Sequence, residues 1–286
     1  MLGQYLITFR EVLEAALITS IVLAYLSRTG RNTLSRYVWY GVASATAVSI
    51  VLGASIWLIY GALPKPVAAL FEGIAGFIAV IVLSSMIYWM ATKGKELKAE
   101  VEQRVEAIAT RRATFSLVSF AFIAVFREGL ETVLFLTPFL VTDVVATVAG
   151  LFLGLLTSLA VAYGIFRAGM RINIRRFFYF TSILLVLLAG GLAGYAVHEL
   201  IEGTGASSWG WLGQAAYDLQ IPADHPLHHK GIVGSIFAVM FGYTVKAEWA
   251  RVIVHVSYLA VALPLIMWIY QKKEVSLQPI DSSIVM

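Results

Sequence analysis

Two five-residue segments carry residue types and spacing that could do chemistry. They are Arg10-Glu11-Val12-Leu13-Glu14 and Arg127-Glu128-Gly129-Leu130-Glu131, both Arg-Glu-x-Leu-Glu and both set in apolar stretches. On a helix, positions three apart share a face, so Glu11 and Glu14 point the same way, as do Glu128 and Glu131. Each arginine lies four residues before the second glutamate, so Arg10–Glu14 and Arg127–Glu131 can pair within their own helices. Packing alone is a poor reason to bury so much charge, because desolvation offsets most of what a buried ion pair returns. Brought face to face, the segments offer four carboxylates and two guanidinium groups, a formal charge of −2 that a multivalent cation would balance. Carboxylate oxygens suit Mg, Ca, Mn and the oxygen-loving iron ions, whereas soft Cu(I) calls for sulfur.

Further polar residues stand apart from these segments. Glu72 sits near the start of an apolar stretch, and His198, Glu199 and Glu202 close another. Both groups are expected where a cation would arrive first. His198-Glu199-Leu200-Ile201-Glu202 fails as a zincin motif, because the position four after His198 holds glutamate instead of histidine. Asp224-His225-Pro226-Leu227-His228-His229 reads equally as a metal-capturing loop or as an ordinary charged one. There is no cysteine, which removes thiolate sites and disulfides.

The elements that must hold these groups are membrane helices. Of 286 residues, 59% are hydrophobic and 13% charged, with mean hydropathy +0.82, against roughly 25% charged in soluble domains. The pattern predicts an all-α, polytopic membrane protein forming a single transmembrane domain over 1–286. Its seven spans are at 2–26, 38–62, 66–91, 114–140, 144–166, 177–200 and 250–270. The first is read as a span and not as a removed signal, since it lacks a basic leader and a small-residue cleavage site. Basic residues gather in alternate connections: Arg28, Arg31 and Arg36; then Lys93, Lys95, Lys98, Arg104, Arg111 and Arg112; then Arg167, Arg171, Arg175 and Arg176; then Lys272 and Lys273. The intervening connections hold little beyond Lys65 and Asp143. The positive-inside rule therefore predicts an outer N-terminus and a cytoplasmic C-terminus. The net charge of +4 serves orientation and does not argue for nucleic acid. Residues 93–112, with Leu97, Val101, Val105 and Ile108 near helical spacing, predict an amphipathic helix at the inner interface. The outer connection 203–249 includes an apolar stretch, 231–245, too short to span and expected to be re-entrant or packed on the bundle.

The two motifs fall in spans one and four, so the second enters the membrane from the opposite side. This predicts an inverted repeat, 2–91 against 114–200, with the seventh helix at 250–270 added. Counting ~1.5 Å per residue puts both motifs at about 10–12 Å below the outer surface. Gly150/Gly154 and Gly190/Gly194 predict close helix packing within one chain.

The doubled motif in spans one and four, the glutamate opening span three, His-Glu-x-x-Glu ending span six and Phe241-Gly242-Tyr243 before the last span resemble the high-affinity, oxidase-dependent iron permeases over nearly the whole chain. The resemblance implies a permease, not an enzyme, that imports iron (Fe2+ or Fe3+) across the plasma membrane with no bound cofactor. It implies metal binding by Glu11, Glu14, Glu128 and Glu131, supported by Arg10 and Arg127, with Glu72, His198, Glu199 and Glu202 secondary. It also implies a separate ferroxidase or extracytoplasmic iron-binding protein as partner. Oxygen ligands alone do not select iron, so a permease for another divalent metal such as manganese or lead is the nearest alternative. A membrane-embedded metal enzyme and a proton-coupled carrier for an organic solute, in which the same glutamates would titrate, are more distant ones.

Overall fold

The computed structural model describes residues 1–93, 97–110, 114–142, 144–166, 174–222, 224–229 and 231–275. Lys95, Arg111, Arg112, Asp143, Arg167 and Arg171, on which part of the orientation argument rests, lie outside the described residues. Long helices occur at each of the seven predicted positions: α1 (Leu2–Arg28), α2 (Ser35–Gly61), α3 (Lys65–Lys93), α5 (Thr114–Thr142), α6 (Val144–Phe166), α7 (Ile174–Thr204) and α9 (Trp249–Val275). Two shorter helices, α4 (Leu97–Thr110) and α8 (Ile232–Phe241), complete the set among the described residues.

Helices α2, α3, α6, α7 and α9 are long and apolar enough to cross a membrane. Helices α1 and α5 are as long, at 27 and 29 residues. They miss that mark because any 18-residue stretch of either holds at least three charged residues, the motif among them. Chemistry and apolarity compete for the same helix here.

Packing is closest between α3 and α7, α2 and α5, and α1 and α6, with α9 laid along α7 and α1 against α5. Small residues permit these approaches. A Cβ at Gly154 would come within 2.9 Å of the Phe9 nitrogen on α1, and one at Gly150 within 2.9 Å of the Met1 carbonyl. Gly190 and Gly194 play the same part against Leu259 and Arg251 of α9. Both predicted glycine pairs therefore serve packing within the chain. On α3, Gly73 and Gly76 face Leu200 and Ala196 of α7.

Helix α4 lies across one end of the bundle. Val101 and Val105 are buried with Val22, Leu26, Val38 and Leu117, while Arg28 pairs with Glu102 at 3.1 Å on its rim. The predicted amphipathic helix is thus docked on protein through its apolar face.

The 203–249 connection is more structured than a loop. A 3-10 turn (Ala206–Gly213) leads into β1 (Ala215–Asp218), which pairs antiparallel with β2 (Lys246–Glu248). This two-stranded ribbon, a minor departure from an all-α chain, had no signal in the hydrophobic periodicity. Helix α8 follows the ribbon's first strand, packs on α7 and stops at Gly242, whose φ of +62° is left-handed. Its Cα approaches Gly191, thirteen residues before the end of α7. The apolar 231–245 stretch therefore packs beside α7 and turns back at Gly242.

Candidate metal centre

Helices α1 and α5 bring the two motifs together. Ligand atoms of Glu11, Glu128 and Glu131 lie within 4.8 Å of one another, and all three residues are buried. In each carboxylate Oε2 is buried with no hydrogen-bond partner. Three converging, unsatisfied carboxylate oxygens are costly unless something positive joins them.

The arginines answer part of that charge unequally. Arg10, only 2% exposed, donates Nη1 to Glu11 at 3.0 Å and to the Met86 sulfur at 3.2 Å, while its Nη2 pairs with Glu14 at 2.8 Å. Arg127 is half exposed; its Nε donates to Glu131 at 2.9 Å and its guanidinium stacks over Trp89 at 5.3 Å. Both predicted Arg–Glu pairs four residues apart form. Glu14 is buried in the same region but is engaged with Arg10, outside the three-residue group.

Two side chains of α3 locate the centre along that helix. Met86 and Trp89 lie seven and four residues from the end of α3, so the centre sits toward the C-terminal end of that helix. The Met1 carbonyl approaches Gly150, six residues into α6, so α1 begins about 9 Å along α6.

A second polar group lies at the opposite end of α3. Both oxygens of buried Glu72 accept phenol hydrogen bonds, Oε1 from Tyr60 at 2.6 Å and Oε2 from Tyr195. Beyond it, His198, Glu199 and Glu202 have ligand atoms within 4.8 Å of one another at the end of α7. Glu248, from β2, accepts from His198 Nδ1 at 3.0 Å. Burial is the largest single influence on the Glu248 carboxyl and would push it up, but the His198 hydrogen bond and charge, a backbone hydrogen bond and the Arg251 charge together hold the group below the usual carboxylate range. The histidine loop is tied up internally: Leu227 N donates to His225 Nδ1 at 3.1 Å and Val245 N to His229 Nδ1 at 3.5 Å.

Met86 follows Glu72 by fourteen positions on α3, or about 21 Å of helix. That interval is filled by an apolar core including Ile7, Ala79, Leu83, Phe135 and Leu192. Ile7 precedes its motif on α1 and Phe135 follows its motif on α5, yet both belong to this one cluster. The carboxylate centre is therefore roofed by apolar side chains on the side facing Glu72.

Sequence reasoning missed Tyr60, Tyr195, Met86, Trp89 and Glu248. Tyr195 could have been found, since it lies three and four residues before His198 and Glu199 on one helix face. The others reach the two groups only through tertiary packing.

The sequence from residue 1 to 269 matches the profile of the iron permease FTR1 family. The chain belongs to that family. A protein of Archaeoglobus fulgidus, described only as uncharacterized, is 43% identical over 267 residues, covering 93% of this chain and 94% of its own. A ferrous iron permease EfeU of Escherichia coli O6:H1 is 35% identical over 266 residues, covering 92% and 94%. The putative inactive ferrous iron permease EfeU of Escherichia coli K12 matches to the same extent, 35% over 266 residues. No solved structure matches the chain. Family membership and the apolar helices make this FTR1-family chain a multi-pass membrane protein.

Proposed function

We propose that the chain imports iron across the plasma membrane, with Glu11, Glu128 and Glu131 as the carboxylates that hold the ion in transit. The carrying observation is the convergence of these three buried glutamates, from two motifs 117 residues apart, with an unpartnered oxygen on each. Arg10 and Arg127 offset part of the charge, and Glu14 holds Arg10 in place. Four carboxylates against two guanidinium groups leave −2, which a divalent ion neutralises. The ferrous specificity in the name of the Escherichia coli relative agrees with that count.

The membrane arrangement we infer is seven spans with the N-terminus outside, built from an inverted repeat of α1–α3 and α5–α7 plus α9. The packing supports it. Exchanging α1 with α5, α2 with α6 and α3 with α7 turns the α1–α6 interface into the α2–α5 interface and leaves α3–α7 unchanged, and these are the closest pairings. Such repeats hold substrate where they meet and move against each other to change access. The apolar roof between Glu72 and the motif centre favours such movement over an open pore. Glu72 and the carboxylates ending α7 then lie on the outer approach, where a separate ferroxidase or iron-binding protein would deliver the ion.

Proteoliposomes test the reading directly. Iron uptake is expected to fall to background in Glu11→Gln and Glu128→Gln; uptake unchanged in both would remove the site assignment. The all-oxygen donor set also admits manganese or another divalent metal as cargo. Competition in the same assay decides between them, with iron expected to outcompete manganese.

A further inference from the structure

We propose that the end of α7 is a discrete metal-selecting site, in which His198 Nε2, Glu199 and Glu202 bind a divalent transition-metal ion and Glu248 positions the histidine. The proposal rests on the reading of the chain as a metal importer and assigns the rejection of Ca2+ and Mg2+ to this outer group.

The geometry is that of a histidine prepared for a metal. A carboxylate at Nδ1 can only accept, so the Glu248 contact at 3.0 Å places a proton on Nδ1, and in the neutral ring Nε2 then carries the lone pair that a metal would take in place of a proton. Metal-ligating histidines almost always have their other nitrogen held in this way. Nε2 points toward Glu202, at 4.0 Å from Oε2. That spacing is long for a hydrogen bond and leaves room for an ion between the two. Glu199 is 9% exposed and supplies the third donor, whereas Glu202 is open to solution, so an ion has a route in. Acidic side chains in the last turn of a helix are ordinarily unfavourable, because the carbonyl end is already negative. Glu202 occupies such a turn, and a bound cation removes the penalty.

Selectivity supplies the functional reason. The motif centre offers only carboxylate oxygen, a donor that suits Ca2+ and Mg2+ as well as iron. An imidazole nitrogen favours first-row transition ions over both. The outer group has that nitrogen and the motif centre does not. An importer facing abundant Ca2+ and Mg2+ gains discrimination by passing ions through a nitrogen-bearing site first.

Two measurements test this on the full-length protein. With Mn2+ as a paramagnetic stand-in, electron spin-echo spectroscopy is expected to detect one imidazole nitrogen. The signal should persist in Glu11→Gln/Glu128→Gln and in His225→Gln/His228→Gln/His229→Gln, and vanish in His198→Gln. Glu248→Gln should keep the nitrogen but weaken Mn2+ binding by ~10-fold or more, with Glu248→Asp partly restoring it. In proteoliposomes, millimolar Ca2+ and Mg2+ should leave wild-type iron uptake unchanged and cut that of His198→Gln several-fold. A nitrogen signal absent from the wild type, or surviving in His198→Gln, overturns the proposal. So does equal Ca2+ and Mg2+ sensitivity of the two proteins. If Glu11→Gln and Glu128→Gln still import iron while the His198 signal behaves as expected, the motif-centre reading fails and the outer site stands.

Discussion

At the residue scale, the two arginines of one repeated motif have become different parts. Arg10 is enclosed and bridges Glu11, Glu14 and Met86, while Arg127 is half exposed over Trp89 and meets one carboxylate. Removing one partner of a buried ionic group strands the others, at a cost of about 3–5 kcal/mol. A half-exposed pair contributes roughly 1 kcal/mol or less. Arg10→Ala is therefore expected to lower the unfolding temperature of the purified protein far more than Arg127→Ala, read by thermal melting in one detergent. Equal losses would mean that the enclosure of Arg10 carries no energetic weight.

At the element scale, glycines decide how near α1 comes to α6, and hence where Glu11 sits. A side chain at Gly154 would run into the backbone of Tyr5 and of Phe9, the residue next to Arg10. Gly154→Leu is expected to cost about 1–3 kcal/mol through overpacking and to reduce metal binding at the motif centre together with stability. Gly61→Ala, at the open end of α2 with nothing within 4 Å, should change neither. Isothermal titration with Mn2+, paired with melting curves, checks both variants. The same interface sets how far α1 is offset along α6, with Met1 beside Gly150 and Phe9 beside Gly154.

At the scale of the whole molecule, two polar groups stand about 21 Å of helix apart with an apolar core between them. If an ion passes from one to the other, as the proposed function has it, this core must part, and the α3–α7 packing is the interface expected to change. The absence of cysteine makes that testable in a clean background. Cysteines at Gly76 and Ala196, whose Cβ positions lie 2.9 Å apart and must part slightly to reach disulfide spacing, should cross-link on oxidation. The cross-linked protein is expected to keep Mn2+ binding and lose iron uptake, and reductant should restore it. Uptake that survives complete cross-linking would locate the moving interface elsewhere.

The helices and the motif centre were legible in the residue order. Long apolar runs have one stable form in a membrane, the helix, because every backbone group must be satisfied internally. Charge persisting within two such runs marked Glu11, Glu14, Glu128 and Glu131 before any packing was known. Tertiary structure alone decided that Glu11, Glu128 and Glu131 converge while Glu14 turns to Arg10, and that the centre lies toward the C-terminal end of α3. It alone brought Tyr60 and Tyr195 onto Glu72, and Glu248 onto His198. Helical periodicity predicts which side chains share a face of one helix; it is silent on how deep that helix sits and on which strand of a distant connection folds back to meet it. Those are set by small-residue contacts and by the β1–β2 pairing, which act between segments far apart in the chain.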